Sequence, residues 1–319
     1  MERILSLLPS TTEIAAALGL VDQLVGRSHE CTLPPEVTRL PIVTEPKLDL
    51  QAASRALDAR VKELVRDGLS IYRVDAELLR ELEPDVILTQ TQCEVCAVTP
   101  RDLEDAACEW IGASPRLVVV EPNSLADVLD DLVRVAEGCG IGARGRQLRE
   151  ERWEHIESIT ARATDSPEQP RVACLEWIDP LMGSGSWIPE LVARAGGRPV
   201  LGRAEGDAQG TSLAELAAVD PDVIVIQPCG FDLARTRREL GPLVEAAGWP
   251  RLRAVREQRV ALVDGFLHMN RPGPRIGESL EILAEILHPE RFDFRWRGRG
   301  WRPLEPRGKD DDEAQDRDP

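Results

Sequence analysis

ELEPDVILTQTQC at residues 81–93 and AVDPDVIVIQPC at residues 218–229 are two versions of one segment, and their repetition decides the fold. Each contains Pro-Asp-Val-Ile, continues as an apolar run with the length of a buried strand, and then reaches a glutamine and a cysteine. Helix-like sequence precedes both. A helix that leads into a buried strand is the repeating unit of a parallel α/β sheet. The repeat therefore predicts two similar α/β lobes.

The rest of the chain alternates in the same way, which supports mostly parallel sheets with helices on their faces. Ser10-Thr11-Thr12-Glu13 resembles a capping box that opens a helix. The predicted strands are Ile4–Leu7, Leu24–Gly26, Val86–Thr89, Arg116–Val120, Val172–Leu175, Val223–Gln227 and Val260–Val263. The predicted helices are residues 54–68, Asp75–Glu83, Leu125–Glu137, Ile188–Ala195, Leu213–Ala218 and Pro274–Leu287.

One long charged helix is predicted between the two lobes, from Ala143 to about Thr164. A helix of about 20 residues spans roughly 30 Å, which suits a backbone between lobes. The fold class is therefore α/β, with two Rossmann-like lobes joined by one helix. The expected domains are an N-lobe (residues 1–142), a linking helix (143–165), a C-lobe (166–294) and an irregular, acidic, disordered tail (295–319).

Composition excludes some classes of partner. The net charge of −17 argues against nucleic acid or an anionic membrane surface, since both require clustered Lys and Arg. The start of the chain contains neither a secretory signal pattern nor an apolar run of membrane-helix length. We expect a cytoplasmic location, and a periplasmic one only if the start site differs.

Cys93 and Cys96 are the two cysteines whose spacing calls for explanation. Seven cysteines in a cytoplasmic chain should be reduced. The pair would line a pocket, hold zinc or iron together with His29 and Cys31, or exchange a disulfide as CxxC pairs do. A structural zinc site needs four ligands and there is no second CxxC, so the metal set is complete only if these residues meet across the fold.

Histidine, cysteine and tryptophan side chains concentrate in the loops that follow the predicted strands. Ligands of open parallel sheets bind outside the carboxyl ends of the strands, so we expect these loops to line one cleft between the lobes. Trp177 and Trp187 would form a flat apolar wall for a large planar ligand, or else pack beneath their own loops. The loops in question are Ser10–Glu13, Ser28–Cys31, Thr91–Cys96, Glu176–Asp179, Ser184–Trp187, Pro228–Phe231 and Phe266–Arg271, and the last four include Cys229 and Arg271.

A family resemblance follows from four features: RILSLLPSTTEIAAALGL at residues 3–20, the Glu-Pro-Asp-Val-Ile strand, the central helix and Arg271–Arg275. Over residues 2–292 the chain resembles the cobalamin-binding proteins of ABC-type importers, in a cysteine-rich subgroup without a signal peptide. Their fold is the two-lobed, helical-backbone type of periplasmic binding protein. Relative to that family, Arg55–Tyr72 is an insertion.

The resemblance implies a corrinoid held between the lobes and no enzymatic activity. By position, it places Ser10, Thr11, His29, Glu30, Gln92, Cys93, Trp187, Phe231 and His268 in the pocket. It also implies docking to importer membrane subunits through a glutamate on each lobe. Glu77 matches the first, whereas Asn270 occupies the second expected position.

Three hypotheses follow. The first is a non-enzymatic corrinoid-binding or transport-associated protein, with cobalamin as the ligand and His29, His268 or a thiolate of Cys93 or Cys96 on the cobalt. The second is a receptor for a metal ion or metal chelate such as zinc, iron, a siderophore or haem. The third is an enzyme, either a CxxC thiol oxidoreductase or a corrinoid-processing activity.

Overall fold

Strands and helices alternate through the part of the chain that the computed structural model describes, residues 2–66, 71–90, 115–204 and 206–305. The strands are β1 (Ile4–Ser6), β2 (Leu24–Arg27), β3 (Thr44–Pro46), β4 (Tyr72–Val74), β5 (Val86–Gln90), β6 (Arg116–Val120), β7 (Arg171–Trp177), β8 (Met182–Gly183), β9 (Arg198–Leu201), β10 (Gln209–Gly210), β11 (Val223–Ile226), β12 (Val260–Val263) and β13 (Trp301–Pro303). The α-helices are α1 (Pro9–Ala17), α2 (Ser54–Arg66), α3 (Ala76–Glu81), α4 (Leu125–Gly138), α5 (Gly142–Thr164), α6 (Ile188–Arg194), α7 (Leu213–Ala218), α8 (Leu233–Glu239), α9 (Gly241–Val244), α10 (Arg253–Arg256) and α11 (Ile276–Leu287). None of these helices is long and apolar enough to cross a membrane.

The N-lobe is built on a parallel sheet with strand order β2-β1-β5-β6. Its central strands β1 and β5 are buried throughout, as expected for strands covered on both faces. A separate antiparallel pair, β3 with β4, flanks α2. Helix α1 begins at Pro9 with Leu8 at its N-cap and no side-chain cap. The predicted capping box at Ser10–Glu13 is therefore wrong, because proline at the first helical turn sets the N-cap two residues earlier than Ser10.

The C-lobe is built on the second copy of the repeat. Its sheet has the order β10-β8-β7-β11-β12-β13, with β9 also paired to β7, and β7, β9, β11 and β12 run parallel. The last strand, β13, is antiparallel to β12. Residues 295–305 are thus not wholly irregular as predicted, since Trp301–Pro303 belongs to the C-lobe sheet. The indole N–H of Trp301, which is 9% exposed, donates to Glu285 Oε1 (2.9 Å) and helps to hold this strand.

Helix α5 links the lobes, as the sequence predicts. Its buried face is narrow, with Leu148, Ile156, Ile159 and Ala163 pointing inward. These side chains belong to one core cluster that includes β1 and β5 of the N-lobe and β11 and β12 of the C-lobe. Two smaller clusters cover the opposite faces of the two sheets. The two-lobed α/β fold with a helical backbone is confirmed, and a shared core fixes both lobes to α5.

Candidate functional site

The strand ends of the two lobes meet around Arg271, which lies after β12 in the C-lobe and is 5% exposed. Its Nη1 donates to Glu13 Oε1 in helix α1 of the N-lobe (2.9 Å). Arg275 donates to the same carboxylate from Nε (2.8 Å) and from Nη2 (3.2 Å). We call Glu13, Arg271 and Arg275 the inter-lobe ion cluster. Glu13 and Arg271 are buried and Arg275 is half-buried, so this cluster lies largely away from water and joins the two lobes at the strand ends.

His29 follows β2 on the N-lobe side of this region. Its Nδ1 lies 2.8 Å from Thr44 Oγ1, and its ring packs against Tyr72 with centroids 5.2 Å apart. Its Nε2 is buried and has no hydrogen-bond partner among the described residues. Burial, assisted by Arg27, lowers the pKa of His29, although a hydrogen bond with Thr44 opposes the shift. The site therefore presents a neutral imidazole with one free, oriented nitrogen.

Glu30 and Cys31 follow His29, and burial raises the pKa of both. Tyr72 Oη donates to Glu30 Oε1 (3.3 Å), and burial raises the pKa of Glu30 although Tyr72 and Arg271 oppose the shift. Cys31 is fully buried, and its sulfur accepts from Thr12 Oγ1 (3.0 Å). Burial raises the pKa of the Cys31 thiol. A buried, protonated thiol is a poor soft ligand, because metals bind the thiolate.

The C-lobe contributes aromatic rings. Trp177, at the end of β7, and Phe231, after β11, have ring centroids 5.1 Å apart. The Arg235 guanidinium lies over the Phe231 ring, 3.8 Å from its centroid. Phe231 is fully buried and is therefore not presented to a ligand. Trp177 is half-buried, and its indole N–H donates to the Asp179 carbonyl (3.1 Å). Cys229 in the same loop is also half-buried.

Two of the predicted pocket residues belong to the interior instead. Trp187 is 7% exposed, lies in the shared core, and donates its indole N–H to the Met269 carbonyl (3.0 Å). Its predicted role in a ligand wall is therefore wrong, because tertiary packing uses the ring as core. His268 packs edge-on against Trp296 (5.0 Å between centroids) inside the C-lobe. Burial and the nearby Arg275, Arg271 and Arg299 lower the pKa of His268 to about 4.

The other predicted residues lie in the interior, at the surface or outside the described chain. Thr11 is fully buried, with its hydroxyl 2.8 Å from Ser6 Oγ. Glu77 is exposed in the first turn of α3. Asn270 is engaged within the C-lobe, where its Nδ2 donates to the Gln227 carbonyl (3.0 Å). Gln92, Cys93 and Cys96 fall outside the described residues.

Polar groups without partners mark the same region. Within the described residues, the buried atoms that lack a hydrogen-bond partner include Ser10 Oγ, Arg271 Nη2 and both amide atoms of Gln227. Such groups are rare in folded proteins because an unmade hydrogen bond costs about 1–3 kcal/mol. Ser10 lies against Gly273, two residues from Arg271, and Gln227 is joined to Asn270. These groups therefore lie near one stretch of chain, residues 270–273.

The sequence analysis missed Arg235, and it named Glu13 and Arg275 only as parts of a loop and a motif, without their pairing. Arg275 stands in the Arg-Pro-Gly-Pro-Arg motif, but nothing in the sequence pairs it with Glu13, which is 262 residues away. Glu176, at the end of β7, was noticed only as a loop residue. Its carboxylate accepts from Gly185 N (3.2 Å), and burial, with a smaller effect of Asp207, raises the pKa of Glu176 to about 7.

A metal-ion centre built from several protein ligands is not supported in this region. Among the described residues, no group of three His, Cys, Asp or Glu side chains is arranged to hold an ion. His29 and Cys31 therefore do not form a metal site with other described residues. The part of the prediction that depends on Cys93 and Cys96 lies outside the described chain and stays a prediction.

Comparison with known proteins agrees with this architecture. The model of the periplasmic binding protein family matches residues 4–265, which is most of the chain. The chain belongs to the periplasmic binding protein family. Proteins of this family are solute-binding proteins, and the chain shares that general class.

The relatives of this periplasmic binding protein do not share one ligand. It is 27% identical over 297 residues, 91% of this chain and 81% of the relative, to the uncharacterized ABC transporter substrate-binding lipoprotein YvrC of Bacillus subtilis. It is 23% identical over 287 residues, 90% of this chain and 88% of the relative, to the vitamin B12-binding protein of Photorhabdus laumondii. The apo periplasmic heme-binding protein RhuT of Roseiflexus sp. RS-1 has a TM-score of 0.67 at 23% identity, covering 90% of this chain and 98% of that one.

Proposed function

We propose that this periplasmic binding protein serves as an ABC transporter substrate-binding protein and binds a corrinoid between its lobes. The observation that carries the ligand assignment is His29, whose Nε2 is buried without a partner while Nδ1 is fixed beside Thr44. A neutral imidazole held through its other nitrogen is the usual arrangement of a metal-ligating histidine. One such donor suits a metal whose other ligands come from a macrocycle. The relationship to a vitamin B12-binding protein supports the same assignment.

The charge of the site favours a corrinoid over haem. Glu13 compensates Arg271, and Arg275 pairs with both Glu13 and Glu278 (2.8 Å to Glu278 Oε2), so these four groups sum to zero charge. A corrin ring carries neutral amide side chains, whereas haem carries carboxylates. Neutral donors and acceptors such as Ser10 Oγ and the Gln227 amide match amides, since an amide needs both kinds of partner.

The test is retention of colour by purified protein. We expect protein mixed with equimolar hydroxocobalamin and then desalted to retain the corrinoid with shifted visible bands. In His29→Ala the shift should disappear and affinity should fall by about tenfold to a hundredfold, the loss seen when groups that support a metal ligand are removed.

The matched control is His155→Ala, because His155 is an exposed histidine on α5 whose Nε2 lies 2.9 Å from Glu281 Oε1. It should retain cobalamin with unchanged bands. The same experiment with haemin in place of hydroxocobalamin tests the rival ligand. Retention of haemin alone would overturn the corrinoid assignment, and retention of both with no effect of His29→Ala would overturn the role of His29.

Docking to importer membrane subunits is the second part of the proposal. Helices α3 and α7 precede the two copies of the repeat, and both carry Ala-Glu-Leu in their first turns, as Ala76-Glu77-Leu78 and Ala214-Glu215-Leu216. Both glutamates are exposed. Aligned on Pro84 and Pro221, Glu77 and Glu215 lie one position apart in the two copies of the repeat. We propose these two carboxylates, one on each lobe, as the docking groups in place of Asn270.

Binding to cobalamin-importer membrane subunits in nanodiscs tests the docking pair. Glu77→Ala and Glu215→Ala should each weaken binding several-fold, and the double variant should lose more than either, because each lobe contributes an independent charge. Glu150→Ala, an exposed glutamate on α5, should bind as the unmodified protein does. Equal binding by the double variant and the control would exclude this surface. The cytoplasmic location stays a prediction, which cell fractionation tests.

A further inference from the structure

Residues 47–66, which we call the strap, extend from the N-lobe between β3 and β4 and contain α2. The second half of α2 packs on the N-lobe: Leu64 is 6% exposed and, with Val61, lies against the cluster that contains Leu5 and Ile87. A helix of 13 residues is about 20 Å long, so its first residues can lie well away from that packing surface.

The first residues of the strap contact the C-lobe. Arg55 donates to Asp179 through two parallel hydrogen bonds, from Nε to Oδ2 (2.9 Å) and from Nη2 to Oδ1 (2.6 Å). The Ser54 amide, at the start of α2, donates to Glu239 Oε2 (3.0 Å), where a carboxylate also compensates the helix dipole. Arg235 Nη2 donates to the Ala52 carbonyl (3.1 Å). The strap thus joins the lobes by three polar contacts on one side and apolar packing on the other.

The C-lobe partners of the strap also shape the aromatic side of the cleft. Asp179 accepts the indole N–H of Trp177 through its carbonyl, and Arg235 covers Phe231. Further along α2, Lys62 faces Pro180 and Met182 across a groove of about 480 Å³. Movement of the strap would therefore uncover one edge of the C-lobe loops and release the guanidinium that covers the Phe231 ring.

The two attachments of the strap differ in strength. Arg55 is 76% exposed, so its ion pair with Asp179 is weak and sensitive to salt, whereas the buried leucine packing on the N-lobe is not. We propose that the strap is a cover that stays on the N-lobe and detaches reversibly from the C-lobe, and that this detachment limits the rate of ligand exchange. The inference rests on the proposed corrinoid function for its ligand, but not for the strap contacts themselves.

Stopped-flow absorbance with hydroxocobalamin, and with haemin as a second probe, tests the cover. Arg55→Ala should raise both the association and the dissociation rate by about two- to fivefold, the range for loss of one exposed ion pair, while the dissociation constant changes less. Arg55→Ala combined with Glu239→Ala should raise both rates by about tenfold. Raising the salt concentration should accelerate the unmodified protein but not the Arg55 variant.

The matched control is Arg60→Ala, which removes an ion pair between Arg60 and Glu63 within the same helix and touches no C-lobe residue in the described chain. It should leave both rates unchanged. Equal rates in the Arg55 variant and this control would overturn the proposal. If the unmodified protein retains neither probe, the ligand assignment fails, and amide hydrogen exchange then tests whether the strap detaches. Faster exchange at residues 54–57 in Arg55→Ala, and not in Arg60→Ala, supports detachment. Equal exchange in the two variants overturns it.

Discussion

Glu13→Gln is expected to lower the free energy of unfolding by about 3–5 kcal/mol, the cost of removing one partner from a buried ion pair. Glu13 is 5% exposed and accepts from Arg271 and Arg275, which come from the other lobe. Glutamine keeps the shape of the side chain but leaves two guanidinium groups without their shared carboxylate. Urea unfolding followed by circular dichroism measures the change through the transition midpoint.

Glu137→Gln is the control for this experiment. Glu137 pairs with Arg146 (3.1 Å), but both side chains are more than half exposed, so its loss should change stability by less than about 1 kcal/mol. Both variants remove one negative charge from the same protein. The two sites differ in that Glu13 is buried between the lobes, whereas Glu137 is exposed. If Glu13→Gln is no more destabilising than Glu137→Gln, the inter-lobe ion cluster does not hold the lobes in solution.

Trp187→Ala is expected to destabilise the protein by about 3–5 kcal/mol, the usual cost of truncating a large core aromatic. The ring lies in the shared core, and loss of its N–H also leaves the Met269 carbonyl without that donor. Thermal unfolding should show a lower midpoint. The effect on ligand affinity should be indirect, because the described contacts of Trp187 are all internal ones.

Trp177→Ala provides the comparison, since Trp177 is half-buried at the end of β7 and packs against Phe231 with the two rings tilted. We expect a loss of stability of about 1–2 kcal/mol, the general range for a partly buried site, and a clear loss of hydroxocobalamin affinity. The opposite pattern, a stable Trp187→Ala protein with lost ligand binding, would return Trp187 to the ligand wall and contradict its assignment to the core.

Local pattern was enough to predict most of the architecture. Periods of apolar residues and the paired Pro-Asp-Val-Ile segments predicted β5, β11, α5 and α7 close to their observed bounds, because each element buries its own apolar residues at a spacing visible in the sequence. Helix α4 was also predicted, as Leu125–Glu137, and Ser124 caps it as half of a capping box with Asp127. Strand β13 was missed because three residues at the edge of a sheet leave no measurable period.

The candidate site was predicted by position more successfully than by orientation. The rule that ligands bind beyond the strand ends selected Glu30 and Arg271, and the structure places these two side chains close enough to interact electrostatically. Their role in ligand binding stays a prediction. The rule also selected Trp187, His268 and Phe231, whose rings are covered by other parts of the chain. The position of a loop determines where the backbone of a residue lies. Whether its side chain points toward the core or the cleft depends on the space left by residues that are distant in sequence.

By itself the sequence determined the α/β class, the two lobes, the linking helix and the strand ends that carry the site. Those depend on interactions between residues a few positions apart. Only the tertiary structure decided that Glu13 joins the lobes through Arg271, that Arg55 reaches Asp179, and that Trp187 is core. These contacts join residues separated by more than 80 positions, and their energies arise from burial and charge in a geometry that exists only once both lobes have formed around α5.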